Sequence, residues 1–439
     1  MDFFSNLIDC DDLLDFIRND VILKKDVYYF DWMASGLESR VIQNRLNKIL
    51  PLYANTHSHT SSNADFISSL YLESKEKLKE YLGLSEDFFV IPSGFGASGA
   101  IKKYQEIKGI YIPPVLKNKL NLSSIKLPIV IIGPYEHHSN EISLREGVCK
   151  CIRIPLKGDL IDLENLDSVL EMYKNNEILA SINIASNVSG IILPYEIISK
   201  KLRDSNVNIA FDCAAISPHK NIDSNLFDAA FLSPHKILGG IGSCGILCIR
   251  KNNLDISLPP TFSGGGSIKY ASSKSHYYID DIESREDSGT PPILGFLKAT
   301  LAYKYRNEIG LDFIHKREKV LYNILLYELK NIDGIMIYGI DNNAEHIPVL
   351  SFNVDSISPY DLAYELSYKY HIETRAGCSC AGSYGHNLLH KEEVKNIDIL
   401  SSNPSLKPAW LRVSLHYSHN VNDIEYFVDS LKKSIKRLR

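Results

Sequence analysis

The sequence has no long apolar run, no excess of basic residues and no basic leader at its N-terminus. No apolar run reaches the roughly 18 residues that a membrane-spanning helix needs, so we expect no membrane span. Lys and Arg number 48 against 53 Asp and Glu, and the formal net charge of -5 argues against nucleic-acid binding through a basic surface. Because no basic segment precedes an apolar one at the N-terminus, we expect no signal peptide.

Cysteine is scarce as well, with eight residues in a chain of 439. Such sparse cysteines do not form the disulfide framework of a small secreted domain, so we expect a reducing, cytoplasmic setting in which a cysteine acts as a free thiol. Cys149 and Cys151 share one predicted strand and are interpreted as structural. The composition, 44% hydrophobic and 23% charged, is ordinary for a globular enzyme, and the length indicates two or three domains.

Short apolar runs alternate with helical spacing from residue 88 onward, a pattern that favours a layered α/β sheet. The predicted strands of this region are 88–92, 128–132, 179–185, 207–211, 227–232 and 244–249. Residues 292–331 are predicted as helical, and later strands are predicted at 335–338, 349–354, 371–374 and 412–415. We therefore predict an N-terminal helical segment over 1–26, a large α/β domain with a mostly parallel sheet over 27–300, and a smaller C-terminal α+β domain over 301–439.

Polar side chains follow three of the predicted strands at the points where these strands end. They are Asn187, Asp212 and the group Ser233, His235 and Lys236. In an open α/β sheet, ligands bind beyond the carboxyl ends of the strands, so we expect these side chains to face one site. A lysine and an aspartate from neighbouring strands are what pyridoxal 5′-phosphate (PLP) requires. The lysine binds the aldehyde as a Schiff base, and the carboxylate keeps the pyridine nitrogen protonated.

A glycine-rich turn precedes this pair in the chain. Residues 93–98 read Ser-Gly-Phe-Gly-Ala-Ser and follow the first strand of the predicted sheet. Glycine lets the backbone approach an anion, and a helix that starts near Ala97 and Ser98 offers free amide groups, so we expect the cofactor phosphate here. Lys220 has the same local Ser-Pro-His-Lys string as Lys236. Lys236 is preferred as the cofactor lysine because a buried strand precedes it, whereas Lys220 lies in a polar loop.

Seven short strings together resemble the class V aminotransferase family, most closely its cysteine desulfurase and selenocysteine lyase branch. The resemblance runs from about Tyr28 to the C-terminus. The strings are 136–140 (Glu-His-His-Ser-Asn), 186–190 (Ser-Asn-Val-Ser-Gly), 212–215 (Asp-Cys-Ala-Ala), 233–236 (Ser-Pro-His-Lys), 288–291 (Ser-Gly-Thr-Pro), 375–381 (Arg-Ala-Gly-Cys-Ser-Cys-Ala) and 411–414 (Leu-Arg-Val-Ser). The resemblance implies the PLP-dependent transferase fold type I, an amino acid substrate, and a homodimer with a shared active site.

For the cofactor, the resemblance implies one contact for each matched residue. Lys236 forms the Schiff base, Asp212 faces the pyridine nitrogen, and His137 stacks on the ring. Asn187 bonds near the phenolic oxygen of the ring. The phosphate contacts come from Ala97, Ser98, Ser233 and His235, joined by Thr290 of the partner subunit.

For the reaction, the resemblance implies a cysteine desulfurase. Lys236 takes the Cα proton of bound cysteine, Arg412 binds its carboxylate through a planar bidentate fork, and the Cys380 thiolate attacks its sulfur. Alanine leaves, and a persulfide remains on Cys380. Its sulfur then passes to an acceptor, such as a sulfur-acceptor protein. Arg375 is expected to bind substrate and to lower the pKa of the Cys380 thiol.

Two departures from the family pattern leave another reaction open. Ala215 stands where the family usually has a glutamine, and the interval from Cys380 to Arg412 is longer than is typical. The alternative is an aminotransferase or β-lyase that uses Lys236, Asp212 and Arg412 but does not need Cys380. A catalytically silent scaffold that binds a sulfur-acceptor partner is a third hypothesis.

A zinc site is the remaining alternative for the cysteine pair. Cys378 and Cys380, with His386 and His390 downstream, have the residue types that bind zinc. The two-residue spacing of the cysteines is tight for one tetrahedral ion, so we expect no metal.

Overall fold

The computed structural model describes residues 2–56, 58, 60–340, 344–391, 397–403 and 406–439. Its strands, numbered in chain order, are β1 (Val21–Ile22), β2 (Tyr28–Tyr29), β3 (Glu38–Ser39), β4 (Phe88–Pro92), β5 (Ile129–Ile132), β6 (Lys150–Arg153), β7 (Leu156–Lys157), β8 (Leu160–Ile161), β9 (Ile178–Asn183), β10 (Asn208–Asp212), β11 (Ala229–Leu232), β12 (Ile246–Arg250), β13 (Ile268–Ala271), β14 (His276–Tyr278), β15 (Ile335–Tyr338), β16 (Val349–Val354), β17 (Ile372–Glu373), β18 (Arg375–Gly377) and β19 (Trp410–Ser414). Its helices are α1 (Leu13–Asp20), α2 (Arg40–Ile49), α3 (Ser62–Leu82), α4 (Gly96–Ile107), α5 (Pro114–Lys117), α6 (His138–Glu146), α7 (Leu163–Met172), α8 (Tyr195–Asp204), α9 (Ile282–Arg285), α10 (Ile293–Ile309), α11 (Leu311–Lys330), α12 (Pro359–Tyr370), α13 (Gly382–Leu388), α14 (Ile397–Ser402) and α15 (Val421–Leu438).

A seven-stranded sheet lies at the centre of the larger part of the chain, in the order β4-β12-β11-β10-β9-β5-β6. Strands β11, β10, β9, β5 and β6 pair in parallel, and β12 is antiparallel to both of its neighbours. It follows that β4 runs in the same direction as the five parallel strands, and its carboxyl end lies at the same edge. The mostly parallel α/β sheet predicted from the sequence is therefore confirmed.

Apolar side chains on both faces of the sheet account for the nearly continuous apolar strands. Every residue of β5 and of β9 is buried. In β10, Ile209 and Phe211 pack into the main core, whereas Ala210 faces the opposite side with residues of α4. A sheet covered on both faces needs apolar residues at successive positions, which removes the usual alternation with polar residues.

The C-terminal part of the chain forms a second, four-stranded antiparallel sheet in the order β15-β16-β19-β18. Its own core joins the sheet to side chains of α11, α12 and α15. Residues 28–30 also belong to this part, because β2 pairs in parallel with β17 and Phe30 lies in the same core. The predicted domain division at residue 300 falls inside α10 and stays a prediction.

Two predicted elements are divided in the structure. The helical stretch 292–331 consists of two helices, α10 and α11, separated at Gly310 with a φ of 94°. The predicted strand 371–374 is replaced by β17 and β18, which pair with different partners. Within the described residues, no helix combines the length and the apolar content that a membrane crossing requires.

Gly245 provides a test of how closely β12 packs against the turn before α4. A Cβ added there would lie 1.9 Å from the Gly96 carbonyl oxygen, so Gly245→Ala must displace backbone and should cost about 1–3 kcal/mol of unfolding free energy. Gly265→Ala is the matched control, because a Cβ there meets nothing within 4 Å. Urea unfolding midpoints of the two variants and the wild type measure the difference. Equal midpoints for both variants would contradict this packing.

Candidate active site

The carboxyl edge of the central sheet borders a cavity of about 200 Å³. Eleven of the twelve site residues predicted from the sequence line it: Ala97, Ser98, His137, Asn187, Asp212, Ser233, His235, Lys236, Arg375, Cys380 and Arg412. Thr290, the twelfth, is not among the lining residues. It is exposed, and its hydroxyl accepts a hydrogen bond from Asn55 Nδ2 at 3.2 Å.

Lys236 reaches the cavity from the end of β11 through a short 3₁₀ turn, Pro234–Lys236. Protein surrounds the amine closely, and this burial lowers the pKa of Lys236 to about 8, with the Arg412 charge acting in the same direction. Asp212 and Cys380 act in the opposite direction. Because desolvation is the largest effect, the Lys236 amine gives up its proton more readily than an ordinary lysine does.

Asp212 is the last residue of β10 and is almost completely buried. It pairs in register with Phe231 of β11, the strand that leads to Lys236. Burial raises the pKa of Asp212, whereas an N–H donated by Ala214 at 2.9 Å and the Lys236 charge lower it. The neighbouring strand ends thus supply the lysine and the carboxylate to one cavity, as expected from the sequence.

Glycine is required in the turn that joins β4 to α4. Gly94 and Gly96 have φ values of 46° and 55°, in the left-handed region that glycine adopts without a steric penalty. A Cβ at Gly96 would also lie 2.7 Å from His235 Cε1. The turn therefore depends on glycine both for its backbone conformation and for the close approach of the His235 ring.

Hydroxyl and amide groups surround the N-terminus of α4. The Ala97 amide donates to Ser233 Oγ at 2.8 Å, and Ser98 Oγ lies 2.5 Å from Ser139 Oγ. A helix N-terminus carries a partial positive charge and free N–H groups, which favour an anion. This corner of the cavity has the chemistry to hold a phosphate.

His137 lies on another wall of the cavity, as the N-cap residue of α6, where Nδ1 accepts the Ser139 amide at 3.1 Å. Burial, followed by the Lys236 charge, lowers the pKa of His137 to about 4. Burial likewise lowers the pKa of His235 to about 4. Both imidazoles are therefore neutral at physiological pH.

Arg412, on β19, is almost completely buried and is held by two contacts. Its Nη2 contacts Asp31 Oδ1 at 2.8 Å, and its Nη1 donates to the Asn187 carbonyl at 3.0 Å. Its Nε has no hydrogen-bond partner among the described residues. Arg375 is more exposed and lies 3.6 Å from the other Asp31 oxygen. One aspartate thus compensates two arginines that line the cavity.

Cys380 lies in a tight turn on the remaining side of the cavity. The Ala381 amide donates to the Cys378 carbonyl at 2.9 Å, and Asn187 Nδ2 donates to the Ser379 carbonyl at 2.7 Å. The Cys380 side chain is exposed, and the residue lines the same cavity as Lys236.

Sequence reasoning missed several residues of this site. Asp31 is the most important of them, and its position directly after the short strand near Tyr28 was the available signal. Asn183, the last residue of β9, also lines the cavity, as does Ser139, which follows the histidine pair. Phe95 lies at the mouth and is 90% exposed, which indicates that this turn borders solvent.

The residues present fit the PLP predicted from the sequence. The cavity offers an amine of lowered pKa, a buried carboxylate, a neutral imidazole and an anion-binding turn, which match the aldehyde, pyridine and phosphate groups. In addition, Asn187 Oδ1 is buried without a hydrogen-bond partner among the described residues. A buried polar atom of this kind calls for a partner that a ligand would supply.

The zinc alternative finds no support in the described residues, where no group of three or more His, Cys, Asp and Glu side chains is arranged to hold a metal ion. His386, one of the four residues considered, instead places its Nδ1 3.1 Å from the Lys391 carbonyl.

The pKa of Lys236 predicts how this amine reacts in protein prepared without cofactor. Acetylation by acetic anhydride should rise with a midpoint near pH 8, because burial favours the neutral amine. Asp212→Asn should move the midpoint lower, since the Asp212 carboxylate raises the pKa of Lys236. Peptide mass spectrometry over a pH series measures both. The surface variant Asp255→Asn should match the wild type, and a wild-type midpoint near the ordinary value of about 10.4 would contradict the structure.

Comparison with known proteins agrees with this arrangement. The family model described as aminotransferase class-V matches residues 116–427. A probable cysteine desulfurase from Pyrococcus abyssi is 26% identical over 436 residues, covering 96% of this chain and 98% of its own. A cysteine desulfurase from Wigglesworthia glossinidia brevipalpis is 30% identical over 319 residues, covering 71% of each chain.

A solved structure of a cysteine desulfurase from Thermococcus onnurineus NA1 aligns with a TM-score of 0.79 at 22% identity, over 98% of this chain and all of that one. A cysteine desulfurase from Escherichia coli aligns with a TM-score of 0.76 at 16% identity. These likenesses confirm the predicted fold type I. The chain belongs to the class V aminotransferase family and is a PLP-dependent enzyme.

Proposed function

We propose that this enzyme is a cysteine desulfurase, which converts L-cysteine to alanine and leaves the sulfur as a persulfide on Cys380. The observation that carries this proposal is that Cys380 and Lys236 line one cavity with Arg412. The names of the relatives, which are cysteine desulfurases, support the same reaction.

Bound PLP would supply an electron-withdrawing ring that stabilises negative charge at the carbon atoms of the substrate. Lys236 would hold its aldehyde, Asp212 the pyridine nitrogen, and His137 the ring face. Ala97, Ser98, Ser233 and His235 would surround the phosphate at the N-terminus of α4. Asn187, whose Oδ1 lacks a partner among the described residues, would contact the ring substituents.

Lys236, when its amine is not bonded to the aldehyde, moves the proton at the Cα of the substrate. An amine with a pKa of about 8 has an unprotonated fraction near neutral pH that can accept the proton from the Cα of the substrate. Arg412 binds the substrate carboxylate, since its Nε is buried and without a hydrogen-bond partner among the described residues. Asp31 and the Asn187 carbonyl hold its two Nη atoms in place.

Cys380 carries out the sulfur transfer. Its thiolate attacks the sulfur of the substrate, so that a sulfur–sulfur bond forms and the bond between that sulfur and Cβ breaks. The electron pair of the broken bond stays with Cβ, which takes up a proton and becomes the methyl group of alanine. The reaction needs no outside oxidant or reductant, because one thiol becomes a persulfide as one carbon is reduced.

Cys380→Ala tests the central role. With L-cysteine, the wild type should give equal amounts of alanine and sulfide in the presence of a reducing thiol, whereas the variant should lose about two or more orders of magnitude in rate, as expected for removal of a nucleophile. Cys378→Ala is the matched control and should keep the activity. Product analysis and the mass of the peptide that contains Cys380 measure the outcome.

An aminotransferase or β-lyase is the alternative that the same assay detects. Ala215 lines the cavity in place of the family glutamine, so the pocket differs from the usual pattern. Keto acid formation that is unchanged in Cys380→Ala but abolished in Lys236→Ala would replace the proposed function by this alternative.

We also propose a homodimer in which Thr290 acts in the active site of the other subunit. Thr290 does not line the cavity of its own chain and is exposed. The hairpin of β13 and β14, which precedes Thr290 in the chain, carries the exposed aromatic side chains Tyr270 and Tyr277, which favour contact with another protein surface.

Mixing two inactive variants tests whether the active site is shared. If Thr290 acts across the interface, a mixed dimer of Lys236→Ala and Thr290→Ala subunits places both defects in one site and leaves the other site intact. Activity should then recover on mixing after partial unfolding and refolding. Sedimentation of the same samples reports whether dimers form, and dimers that show no recovery would exclude the shared site.

The persulfide has to leave Cys380 for the enzyme to turn over. Because the Cys380 side chain is exposed, we propose that the persulfide sulfur passes to the thiol of an acceptor, such as a sulfur-acceptor protein. The requirement for a free thiolate favours a reducing cytoplasm as the site of the reaction.

A further inference from the structure

Cys380 has a backbone conformation that its own sequence does not favour. Ser379 and Cys380 have φ values of 51° and 59°, so two successive non-glycine residues lie in the left-handed region. Residues other than glycine rarely adopt this conformation, and they keep it only where surrounding contacts hold them.

His138 makes two hydrogen bonds to the chain just after the Cys380 side chain. Its backbone N–H donates to the Cys380 carbonyl at 2.8 Å. Its ring accepts the second hydrogen bond, because the Gly382 amide donates to His138 Nε2 at 2.8 Å. The first residue of α6 thus makes hydrogen bonds to residues 380 and 382, which flank the end of the turn.

The ring of His138 also replaces a missing helix cap. Ala381 is the N-cap residue of α13 and has no side chain that can accept a hydrogen bond from the first turn. A free N–H at a helix start needs an acceptor, and His138 Nε2 provides it for Gly382. Because an amide can only donate, His138 Nε2 must be unprotonated, and this leaves the ring proton of the neutral form on Nδ1.

Glycine at position 382 is part of the same arrangement. A Cβ there would lie 2.9 Å from His138 Nε2, closer than two such atoms normally approach. The contact between His138 and Gly382 therefore depends on both residues. His138 supplies the acceptor atom, and Gly382 has no side chain that would block the approach of the ring.

We propose that His138 is a positioning residue that fixes the Cys380 turn by accepting the Gly382 amide and donating to the Cys380 carbonyl. The catalytic meaning of this inference rests on the proposed sulfur transfer to Cys380. Without the imidazole acceptor, the turn relaxes toward the common backbone conformations, and the thiol is no longer held beside Lys236. Binding of the amino acid, which relies on Arg412, is left intact.

Three variants separate the hydrogen bond from the space that the ring fills. His138→Leu removes the acceptor at similar volume. His138→Gln keeps an amide oxygen close to the position of Nε2. Gly382→Ala leaves the imidazole in place and pushes it away from the backbone. His315→Leu, at an exposed position on α11, is the matched control for the histidine change.

The first measurement is hydrogen exchange of the peptide that contains residues 378–388, in protein without cofactor. Loss of one hydrogen bond should speed exchange of the turn by about tenfold in His138→Leu and Gly382→Ala, with His138→Gln near the wild type. Unchanged exchange in His138→Leu would overturn the proposal, because the turn would then be held by other contacts.

The second measurement is the steady-state rate of sulfide formation from L-cysteine. His138→Leu should lower kcat by about tenfold with little change in KM, and His138→Gln should recover most of the rate. Faster exchange with unchanged kcat would overturn the positioning role. If the wild type forms no sulfide, the proposed function fails, whereas the exchange data still report separately on whether His138 holds the turn.

Discussion

The rest of the structure depends on one constraint: charged side chains that are buried at the carboxyl edge of the sheet need partners of opposite charge. Asp212 and Arg412 are almost completely buried, and Lys236 is closely surrounded by protein. An isolated charge in such a place costs several kcal/mol, so each one needs a partner of opposite sign. Asp31 meets this need for Arg412, and Asp212 partly meets it for Lys236. The fold must therefore deliver acids and bases from separate segments to one place.

The incomplete compensation of Lys236 matters for the chemistry. Desolvation exceeds the attraction of Asp212, and the pKa of Lys236 falls to about 8. At pH 7 such an amine is unprotonated in roughly one molecule in ten, against fewer than one in a thousand for an ordinary lysine. A better-paired Lys236 would stabilise the folded chain more, yet it would rarely be free to accept a proton. The carboxylate at position 212 thus has two opposing effects, since it faces the cofactor site and also holds the lysine proton.

How much of the fold and the site could be predicted depends on how far along the sequence each residue lies from the segments that position it. Asp212 and Lys236 follow neighbouring buried strands whose apolar runs are visible in the sequence, and the rule for open α/β sheets places their ends together. Asp31 was missed because it reaches Arg412 through the pairing of β2 with β17 and a bridge to Ser414, and local patterns do not encode pairing between distant segments. Likewise, the break at Gly310 divides a helical pattern that continues across it, because the local spacing does not record the backbone conformation of one glycine.

The Cys380 turn also shows, at the scale of single residues, that local sequence patterns do not predict contacts with distant segments. The string Gly-Cys-Ser-Cys-Ala-Gly predicts Cys380 as the nucleophile by its resemblance to a family. Local preference, however, would place glycine, rather than serine and cysteine, at the two left-handed positions. A glycine at position 380 would satisfy the backbone and remove the thiol. The conflict between backbone and chemistry is therefore resolved outside the turn, by hydrogen bonds from Asn187 and His138. A thiol held in this way depends on elements far from it in sequence, which is why its position follows from the folded structure and not from its own segment.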